Sequence, residues 1–314
     1  MKKILIIGST CADIIIDLED HLPASGEDVH VRRQRMSLGG CAFNVSDSVR
    51  HASVPYILFT PIGTGIYGDF IRKELALRGV SSPIPTPNKE NGCCYCFVES
   101  TGERSFVSYH GAEYRFEEEW FSLIDPDEID AVYICGLEIE EPTGPNIVSF
   151  LEENPHLTVY FAPGPRLGRI RTELLDRIFR LSPILHVNEA EALEAGRSST
   201  VAEAARKLYE KTGNTVIVTL GDKGCYYFDG RQEDTLPSIQ TDQIDTIGAG
   251  DAHIGIVMGC LQKGDSLPEA IRKANRIASA VVGISGALLP DEMAAAILEE
   301  SDAAGQNCVI HEET

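Results

Sequence analysis

The residues best suited to chemistry in this sequence are a carboxylate and the three small residues that precede it. The segment Asp245–Gly255 reads Asp-Thr-Ile-Gly-Ala-Gly-Asp-Ala-His-Ile-Gly. Gly248, Ala249 and Gly250 leave the backbone bare, and apolar residues at helical spacing after Asp251 predict a helix that begins near it. Unpaired N–H groups at a helix N-terminus favour an anion. The segment therefore predicts phosphoryl transfer, with Asp251 taking the proton from an attacking hydroxyl.

The same segment also has a purely structural interpretation. A Gly-Ala-Gly sequence before a helix is typical of a tight strand-to-helix turn, with Asp251 as a capping residue. Because short glycine motifs often match by chance, the segment alone leaves both interpretations open.

Composition limits the kinds of partner. The chain has 314 residues, enough for a large core, and a net charge of −21. Such a surface repels phosphate backbones and anionic lipid, so we expect neither nucleic acid nor membrane as a partner. No targeting or membrane-spanning segment is visible, and nine cysteines at irregular spacing favour a reduced, cytoplasmic protein.

Three of these cysteines are close in sequence. Cys93, Cys94 and Cys96 could suggest a metal, but their segment alternates like a strand and no second Cys or His pair lies nearby. A structural role is favoured.

Strands and helices alternate along most of the chain, which predicts a mainly parallel sheet covered on both faces by helices. The predicted strands are 3–7, 56–60, 131–135, 159–162, 184–187 and 216–220, and later helices include 69–78 and 270–284. Alternating segments near 14–18, 29–35, 94–99 and 105–109 instead predict a small second sheet. We therefore expect one domain over residues 1–314, with a lid formed by insertions at about 14–35 and 90–112.

Gly63–Gly68 matches Gly-x-Gly-x-x-Gly between a strand and a helix, as a dinucleotide site would. The motif follows a later strand rather than the first, and no acid-tipped strand comes about 20 residues on. A turn whose glycines permit close packing is the favoured interpretation.

Polar groups stand at the ends of several predicted strands, where open α/β sheets bind ligands. Asp13 and Glu138 each follow a strand, and Gly39-Gly40 with Asn44 offers bare backbone and an amide. Each could be a turn or helix start, but with Asp251 they predict a pocket for a polyol.

A second group of polar residues could bind a nucleotide. Asn188 and Glu191 fit a capping box, although a carboxylate there could also hold water on Mg²⁺. Thr219, Gly221 and Gly224 form either a hairpin turn or the wall of a nucleotide pocket.

Taken in order, these segments resemble the ribokinase-like (PfkB) family of carbohydrate and nucleoside kinases. The resemblance runs from Gly8 to about Pro290 and is most specific at Asp245–Asp251. It also covers Gly8 with Asp13, Gly26-Glu27, Gly39-Gly40 with Asn44, Gly63–Asp69, Gly136–Glu138, Asn188 with Glu191, Thr219–Gly224, Asn275 and Gly286-Ala287.

The resemblance implies a three-layer α/β/α sandwich with a small β-sheet lid, and a role for each matching residue. Asp251 would be the catalytic base and the backbone of Gly248, Ala249 and Gly250 the anion hole. The acceptor would lie among Asp13, Gly39, Gly40, Asn44 and Glu138, and ATP near Asn188, Thr219, Gly221, Gly224 and Asn275. Glu191 would act on Mg²⁺ through water. Asp245 would bind a monovalent cation such as K⁺, with carbonyls from 281–286.

The chain also departs from the family. Cys41-Ala42-Phe43 stands where ribokinase proper has Lys-Gly-Ala, which favours an acceptor other than ribose. His253 stands where the family usually has Phe, and is either a packed core histidine, the favoured role, or a proton partner of Asp251. No Lys or Arg cluster is committed to a phosphorylated acceptor, although Arg104, Arg115 and Arg166 remain candidates.

The sequence therefore predicts an ATP-dependent kinase that phosphorylates a hydroxyl of a small sugar. The alternatives are a nucleoside kinase, in which Phe43 would stack on a base, and a non-catalytic sugar or nucleotide sensor. Because the lid strands have open edges and such sheets often pair in the family, we also expect a homodimer.

Overall fold

The computed structural model describes the backbone of residues 1–309 and the side chains of residues 1–301. The end at 311–314, which we expect to be frayed, lies outside the described residues. The strands are β1 Lys3–Ile7, β2 Cys11–Leu18, β3 Val31–Gly39, β4 Tyr56–Phe59, β5 Cys93–Val98, β6 Arg104–Tyr109, β7 Ile129–Cys135, β8 Thr158–Ala162, β9 Ile184–Asn188, β10 Val216–Thr219, β11 Cys225–Phe228 and β12 Glu233–Leu236. The helices are α1 Cys41–His51, α2 Gly65–Leu77, α3 Gly136–Glu140, α4 Gly144–Glu153, α5 Thr172–Arg180, α6 Glu189–Gly196, α7 Val201–Thr212, α8 Ala249–Lys263, α9 Leu267–Val282 and α10 Asp291–Val309.

Within residues 1–309, eight strands form the main sheet in the order β12-β11-β10-β9-β8-β7-β1-β4. In this sheet β10, β9, β8, β7, β1 and β4 run parallel to one another. Strands β11 and β12 extend the sheet antiparallel. Successive residues of β1 point to opposite faces, with Ile4 and Ile6 in one core and Leu5 and Ile7 in the other. Helices α1, α8 and α9 cover the first face, and α4, α5 and α7 cover the second, which confirms the three-layer fold.

Two glycines let α8 pack closely against α1. A Cβ at Gly255 would lie 2.6 Å from the Ser48 Cβ, and one at Gly259 would lie 2.4 Å from the Ala52 Cβ. Apolar residues surround the contact, so the two helices share one buried surface. This packing fixes Asn44, on α1, relative to Asp251, on α8.

The other four described strands form the predicted small sheet, in the order β3-β2-β5-β6. Its strands are longer than the sequence predicts, since β2 begins at Cys11 and β3 continues to Gly39. Asp13 pairs with Ser37 on one side and Cys94 on the other, and Cys94 pairs with Ser108. A row of small polar side chains therefore crosses the lid at the level of Asp13.

The segment Gly63–Gly68 corrects one predicted boundary. We expected a loop followed by a helix from Asp69, but α2 begins at Gly65, which takes a φ of 82°. A Cβ at Gly68 would lie 1.9 Å from the Gly63 oxygen, and one at Gly63 would lie 2.4 Å from the Lys89 oxygen. These glycines permit close backbone contacts, as the packing interpretation predicts.

Candidate active site

Two adjoining cavities lie at the carboxyl ends of the parallel strands. The first, which we call the lid cavity, has a volume of about 440 Å³ and is lined by Asp13, Gly40, Cys94, Ser108, Glu191 and Asp251, among others. The second, the turn cavity, has a volume of about 860 Å³ and is lined by Gly221, Gly224, Ala249, His253 and Asn275, among others. Asn188, Thr219 and Gly250 line both, so the cavities meet at the start of α8.

The N-terminus of α8 is open to the cleft. Gly248 is its N-cap with a φ of 77°, and a Cβ there would lie 2.4 Å from the Ala287 Cβ. No side chain caps the helix. Because N–H groups in a first turn have no preceding carbonyl partner, those of Gly250 and Asp251 are available to an anion.

Asp251 lies in that first turn and is half-buried. Its Oδ2 accepts a hydrogen bond of 2.9 Å from Asn44 Nδ2. Burial raises the pKa of the Asp251 carboxyl to about 6, while the Asn44 hydrogen bond acts in the opposite direction. A carboxyl with a pKa near 6 in this position can accept a proton near neutral pH.

Asp13 reaches the same cavity from the lid. Burial and then the negative charge of Asp251 raise the Asp13 pKa to about 7. A Cβ at Gly39 would lie 2.0 Å from Asp13 Oδ2, and one at Gly40 would lie 2.5 Å from the Ser9 oxygen. Gly39 therefore makes room for the Asp13 carboxylate, and Gly40 makes room for the backbone of Ser9.

Glu138, in α3, does not itself line this cavity but lies behind Ser9, which does. Its Oε1 accepts the Ser9 N–H at 2.8 Å, and burial raises its pKa to about 7. In the described part of the chain, Glu138 Oε2 and Asn44 Oδ1 have no hydrogen-bond partner. Buried unpaired oxygens are costly, so they are suited to ligand hydroxyls.

The Asn188–Glu191 pair forms the capping box that the sequence predicts. Glu191 N–H donates to Asn188 Oδ1 at 2.9 Å, and Asn188 N–H donates to Glu191 Oε2 at 3.0 Å. Both residues also line the lid cavity, so the capping role and a ligand role are compatible.

Thr219, Gly221 and Gly224 belong to the tight β10–β11 turn, and all three line the turn cavity. A Cβ at Gly224 would lie 2.0 Å from the Leu236 oxygen, so β12 can approach only a glycine. The hairpin interpretation is correct and coexists with a cavity wall.

Asn275 and His253 are joined in a buried chain of hydrogen bonds that the sequence did not predict. Asn275 Nδ2 donates to the Leu236 and Pro237 oxygens, which leaves its Oδ1 to accept from His253 Nε2 at 3.1 Å. His253 Nδ1 then accepts from His186 Nε2 at 3.0 Å. His253 is therefore a packed core histidine that contacts Asn275 and His186, and its hydrogen bonds do not reach Asp251.

Burial keeps this histidine pair neutral. It lowers the pKa of His253 to about 4, and burial together with His253 lowers the pKa of His186 well below its ordinary value.

The position of Phe43 contradicts the base-stacking role that the nucleoside-kinase alternative gave it. The ring is 2% exposed and packs in the core between the main sheet and α1, so it cannot stack on a ligand. Its place on the inner face of α1 explains the error, because the sequence shows that a helix begins here but not which side faces the cleft.

Several cavity residues were missed. Phe106, His110, Tyr114 and Cys11 line the lid cavity, with the His110 and Tyr114 rings stacked 4.0 Å apart. Strand alternation could have found Phe106, since it shares a face of β6 with Ser108.

The three cysteines of β5 have different surroundings. Cys93 and Cys96 are buried and Cys94 lines the lid cavity. Among the described residues, no group of three or more His, Cys, Asp or Glu side chains is placed to hold a metal ion.

Asp245 lies outside both cavities, behind the α8 N-terminus. Its Oδ1 accepts from Arg104 Nη1 at 2.7 Å and from the Ile247 N–H at 3.0 Å, and its Oδ2 accepts from the Gly286 N–H at 2.9 Å.

Of the other candidate arginines, Arg166 lines the lid cavity but is paired with Glu140 at 3.2 Å. Arg115 is exposed.

No helix in residues 1–309 is both long and apolar enough to cross a membrane.

A parallel α/β sandwich, a lid sheet and two cavities meeting at an open helix N-terminus match the architecture expected of a small-molecule kinase. The profile of the pfkB family of carbohydrate kinases matches residues 1–293. The chain therefore belongs to this family and is a sugar kinase, a phosphotransferase with an alcohol group as acceptor.

Individual proteins agree with this assignment. The uncharacterized sugar kinase YegV of Escherichia coli K12 is 32% identical over 289 residues, which cover 91% of this chain and 90% of that protein. The structure of ribokinase from Thermotoga maritima superimposes with a TM-score of 0.81 at 25% identity, covering 95% of this chain and all of that one. Adenosine kinase from Sinorhizobium meliloti shares the fold, with a TM-score of 0.79 at 19% identity over 96% of this chain and 99% of that one.

Proposed function

We propose that the protein transfers the γ-phosphoryl group of ATP to a hydroxyl of an unphosphorylated sugar. In this proposal Asp251 is the general base, and the backbone from Gly248 to Asp251 is the anion hole. The observation that carries it is the meeting of the two cavities at Gly250, directly beside the Asp251 carboxylate.

The sugar would occupy the lid cavity and ATP the turn cavity. The acceptor oxygen forms a bond to the γ-phosphorus, the bond from that phosphorus to the β,γ-bridging oxygen breaks, and ADP leaves. The hydroxyl proton passes to Asp251. The N–H groups of Gly250 and Asp251 and the positive end of α8 face the charge on the transferred group.

The lid cavity fits a polyol better than a phosphorylated acceptor. Asp13, Asn44, Glu138 and Asp251 offer oxygen acceptors to sugar hydroxyls, and two of these oxygens have no partner in the described chain. The arginine that lines this cavity, Arg166, is already paired with Glu140. Gly39 and Gly40 would serve by giving Asp13 and the sugar room.

On the nucleotide side, Asn188, Thr219, Gly221 and Gly224 would border ATP, with Asn275 behind them. The amide of Asn275 is engaged with His253 and the end of β12. We therefore assign it the task of holding this wall in place.

Glu191 fits a role in holding Mg²⁺ through water. Each of its carboxylate oxygens accepts one hydrogen bond from Asn188, which leaves further lone pairs free for metal-bound water. Mg²⁺ would neutralise charge on the ATP phosphates. Glu191→Gln should raise the Mg²⁺ concentration needed for half-maximal activity; an unchanged Mg²⁺ requirement would refute the role.

A homodimer through the lid is also proposed. Val31, Met36, Val107 and Tyr109, all on the edge strands β3 and β6, are exposed apolar side chains. Light scattering should give twice the chain mass, and Val107→Asp should halve it. A wild-type monomer would refute the dimer. A cytoplasmic location remains a prediction from the cysteine content.

The acceptor panel is the decisive experiment for the function. ADP production from ATP should be low without acceptor and should rise sharply with one or a few hexoses, pentoses or sugar alcohols. A response only to adenosine, inosine or pseudouridine would favour the nucleoside kinase. Binding without phosphoryl transfer across the whole panel would favour a sensor.

A further inference from the structure

The surroundings of Asp245 do not fit the monovalent cation that the family resemblance implies. Asp245 is 3% exposed, and its carboxylate already accepts three hydrogen bonds, two at Oδ1 and one at Oδ2. One of these comes from the Arg104 guanidinium, which is permanently charged. A second cation beside it would be repelled at close range in a buried site.

Two of the neighbouring carbonyls are also engaged. The Val282 oxygen accepts from the Ile244 and Asp245 N–H groups at 3.0 and 3.1 Å, and the Val281 oxygen accepts from the Ile284 N–H at 3.2 Å. These carbonyls belong to the 281–286 region expected to complete a cation site. They bind backbone N–H groups instead.

Arg104 belongs to the lid, whereas Asp245 belongs to the core. Arg104 is the first residue of β6, and Asp245 stands just before the α8 N-terminus, where the Ile247 N–H shares its carboxylate. A second lid arginine, Arg35 on β3, reaches Ser285 Oγ at 3.4 Å, next to Gly286. The two edge strands of the lid therefore contact two loops: β6 contacts the loop before α8, which holds Asp245, and β3 contacts the loop after α9, which holds Ser285 and Gly286. The Gly286 N–H bond to Asp245 joins these two loops.

We infer that Arg104 takes the place of the monovalent cation. Its guanidinium supplies the positive charge that pairs with the Asp245 carboxylate, and Asp245 in turn holds the Ile247 and Gly286 N–H groups. The loop before α8 is therefore held in place when the lid carries Arg104 into position. Arg104 is a positioning residue, and its effect on turnover rests on the proposed function, because the loop it orders leads into the anion hole.

The test compares K⁺ with tetramethylammonium at constant ionic strength. Wild-type turnover with the acceptor found by the panel, and the Kd for ATP with Mg²⁺, should change less than about twofold on the exchange. Arg104→Ala should lose about 10- to 100-fold in kcat, the usual cost of a misplaced catalytic loop. Added guanidinium ion or K⁺ should restore part of that loss.

Two further variants keep the test decisive. Arg33→Ala removes an exposed lid arginine and should match wild type in every assay. Arg104→Lys keeps the positive charge, so its turnover should remain independent of K⁺. This variant keeps the test decisive even if Arg104→Ala does not fold.

A wild-type loss of more than about tenfold in tetramethylammonium would overturn the inference, as would full activity of Arg104→Ala without any added cation. Absence of transfer by the wild type to every acceptor would instead refute the proposed function. In that case the ATP Kd in the two salts still decides the role of Arg104.

Discussion

The two cavities differ in how far the protein satisfies its own polar groups. Among the described residues, no buried side-chain nitrogen or oxygen that lines the turn cavity lacks a hydrogen-bond partner: Asn275 uses both ends of its amide, and Ser238 and Ser279 bond each other at 2.9 Å. Around the lid cavity, Asn44 and Glu138 each keep a buried oxygen without a partner in the described residues.

Electrostatics show the same contrast. Burial raises the pKa values of the Asp13, Glu138 and Asp251 carboxyls, so their ionisation beside the lid cavity is unfavourable. Ligand hydroxyls would relieve this by donating hydrogen bonds. Under the proposed function, the turn cavity therefore needs little rearrangement to bind ATP, whereas the acceptor would complete the hydrogen bonds of the lid cavity and so set substrate choice.

The largest expected effect is that of removing the base. Asp251→Asn should lower kcat by about 10² to 10⁴-fold and leave the Kd for ATP within about twofold, because the turn cavity is untouched. Steady-state kinetics and calorimetry measure the two. Asp234→Asn, an exposed carboxylate on β12, is the matched control and should behave as wild type. Turnover of Asp251→Asn near the wild-type rate would show that another group takes the proton.

Two glycine substitutions, one beside each cavity, test the roles of the two cavities independently. Gly39→Ala places a methyl group against Asp13, and Gly224→Ala places one against the Leu236 oxygen. Overpacking of this kind costs about 1–3 kcal/mol. Gly39→Ala should therefore raise the acceptor KM about tenfold without changing ATP affinity, and Gly224→Ala should do the reverse. Equal effects on both substrates would break the comparison.

The pH dependence of turnover tests the tuning of the base. Because Asp251 must be ionised to accept a proton and its pKa is raised to about 6, kcat should fall as the pH drops below about 6. Asn44→Ala removes a hydrogen bond that lowers this pKa, so the fall should begin at a higher pH, by about 0.5–1 unit. Ser46→Ala, on the same helix, should leave the profile in place. An Asn44→Ala profile identical to wild type would remove Asn44 from the account.

The smallest effect concerns stability on the turn-cavity side. His253 has a folded-state pKa of about 4, below its value of about 6.5 in an unfolded chain. Between these values the unfolded state binds the proton and the folded state does not, so stability falls as the pH drops from 6.5 to 4. The raised pKa values of the buried carboxyls change stability in the opposite direction over the same pH range. The effect of His253 is therefore measured as the difference between wild type and a His253 variant.

His253→Phe should reduce the slope of unfolding free energy against pH in this window by up to about 1.4 kcal/mol per pH unit. Urea denaturation at several pH values measures it. His30→Phe, at an exposed histidine, should leave the slope as it is. A slope unchanged by His253→Phe would mean that the histidine is protonated in the folded protein.

The sequence predicts a feature of this structure when the residues that determine the feature lie close together in the chain. The start of α8 and the Asn188–Glu191 capping box follow from residues three or four apart, and both were predicted. The lid was predicted because strand alternation is also local. The Arg104–Asp245 ion pair joins residues 141 positions apart, and no local pattern announces it.

The errors have the same origin. The sequence shows where α1 begins, but the packing of α1 against α8 decides that Phe43 points inward. The His186–His253 contact likewise depends on how β9 and α8 meet. Side-chain partners across elements are a property of the assembled core.

The central claim is that the two cavities bring an acceptor hydroxyl and the γ-phosphoryl group together beside Asp251. The most direct test is a crystal structure with a non-hydrolysable ATP analogue, Mg²⁺ and the acceptor found by the panel. We predict an acceptor oxygen about 2.6–3.2 Å from an Asp251 carboxylate oxygen, with the γ-phosphoryl group facing the Gly250 N–H. An acceptor bound away from Asp251, or a triphosphate that points away from the α8 N-terminus, would contradict the account.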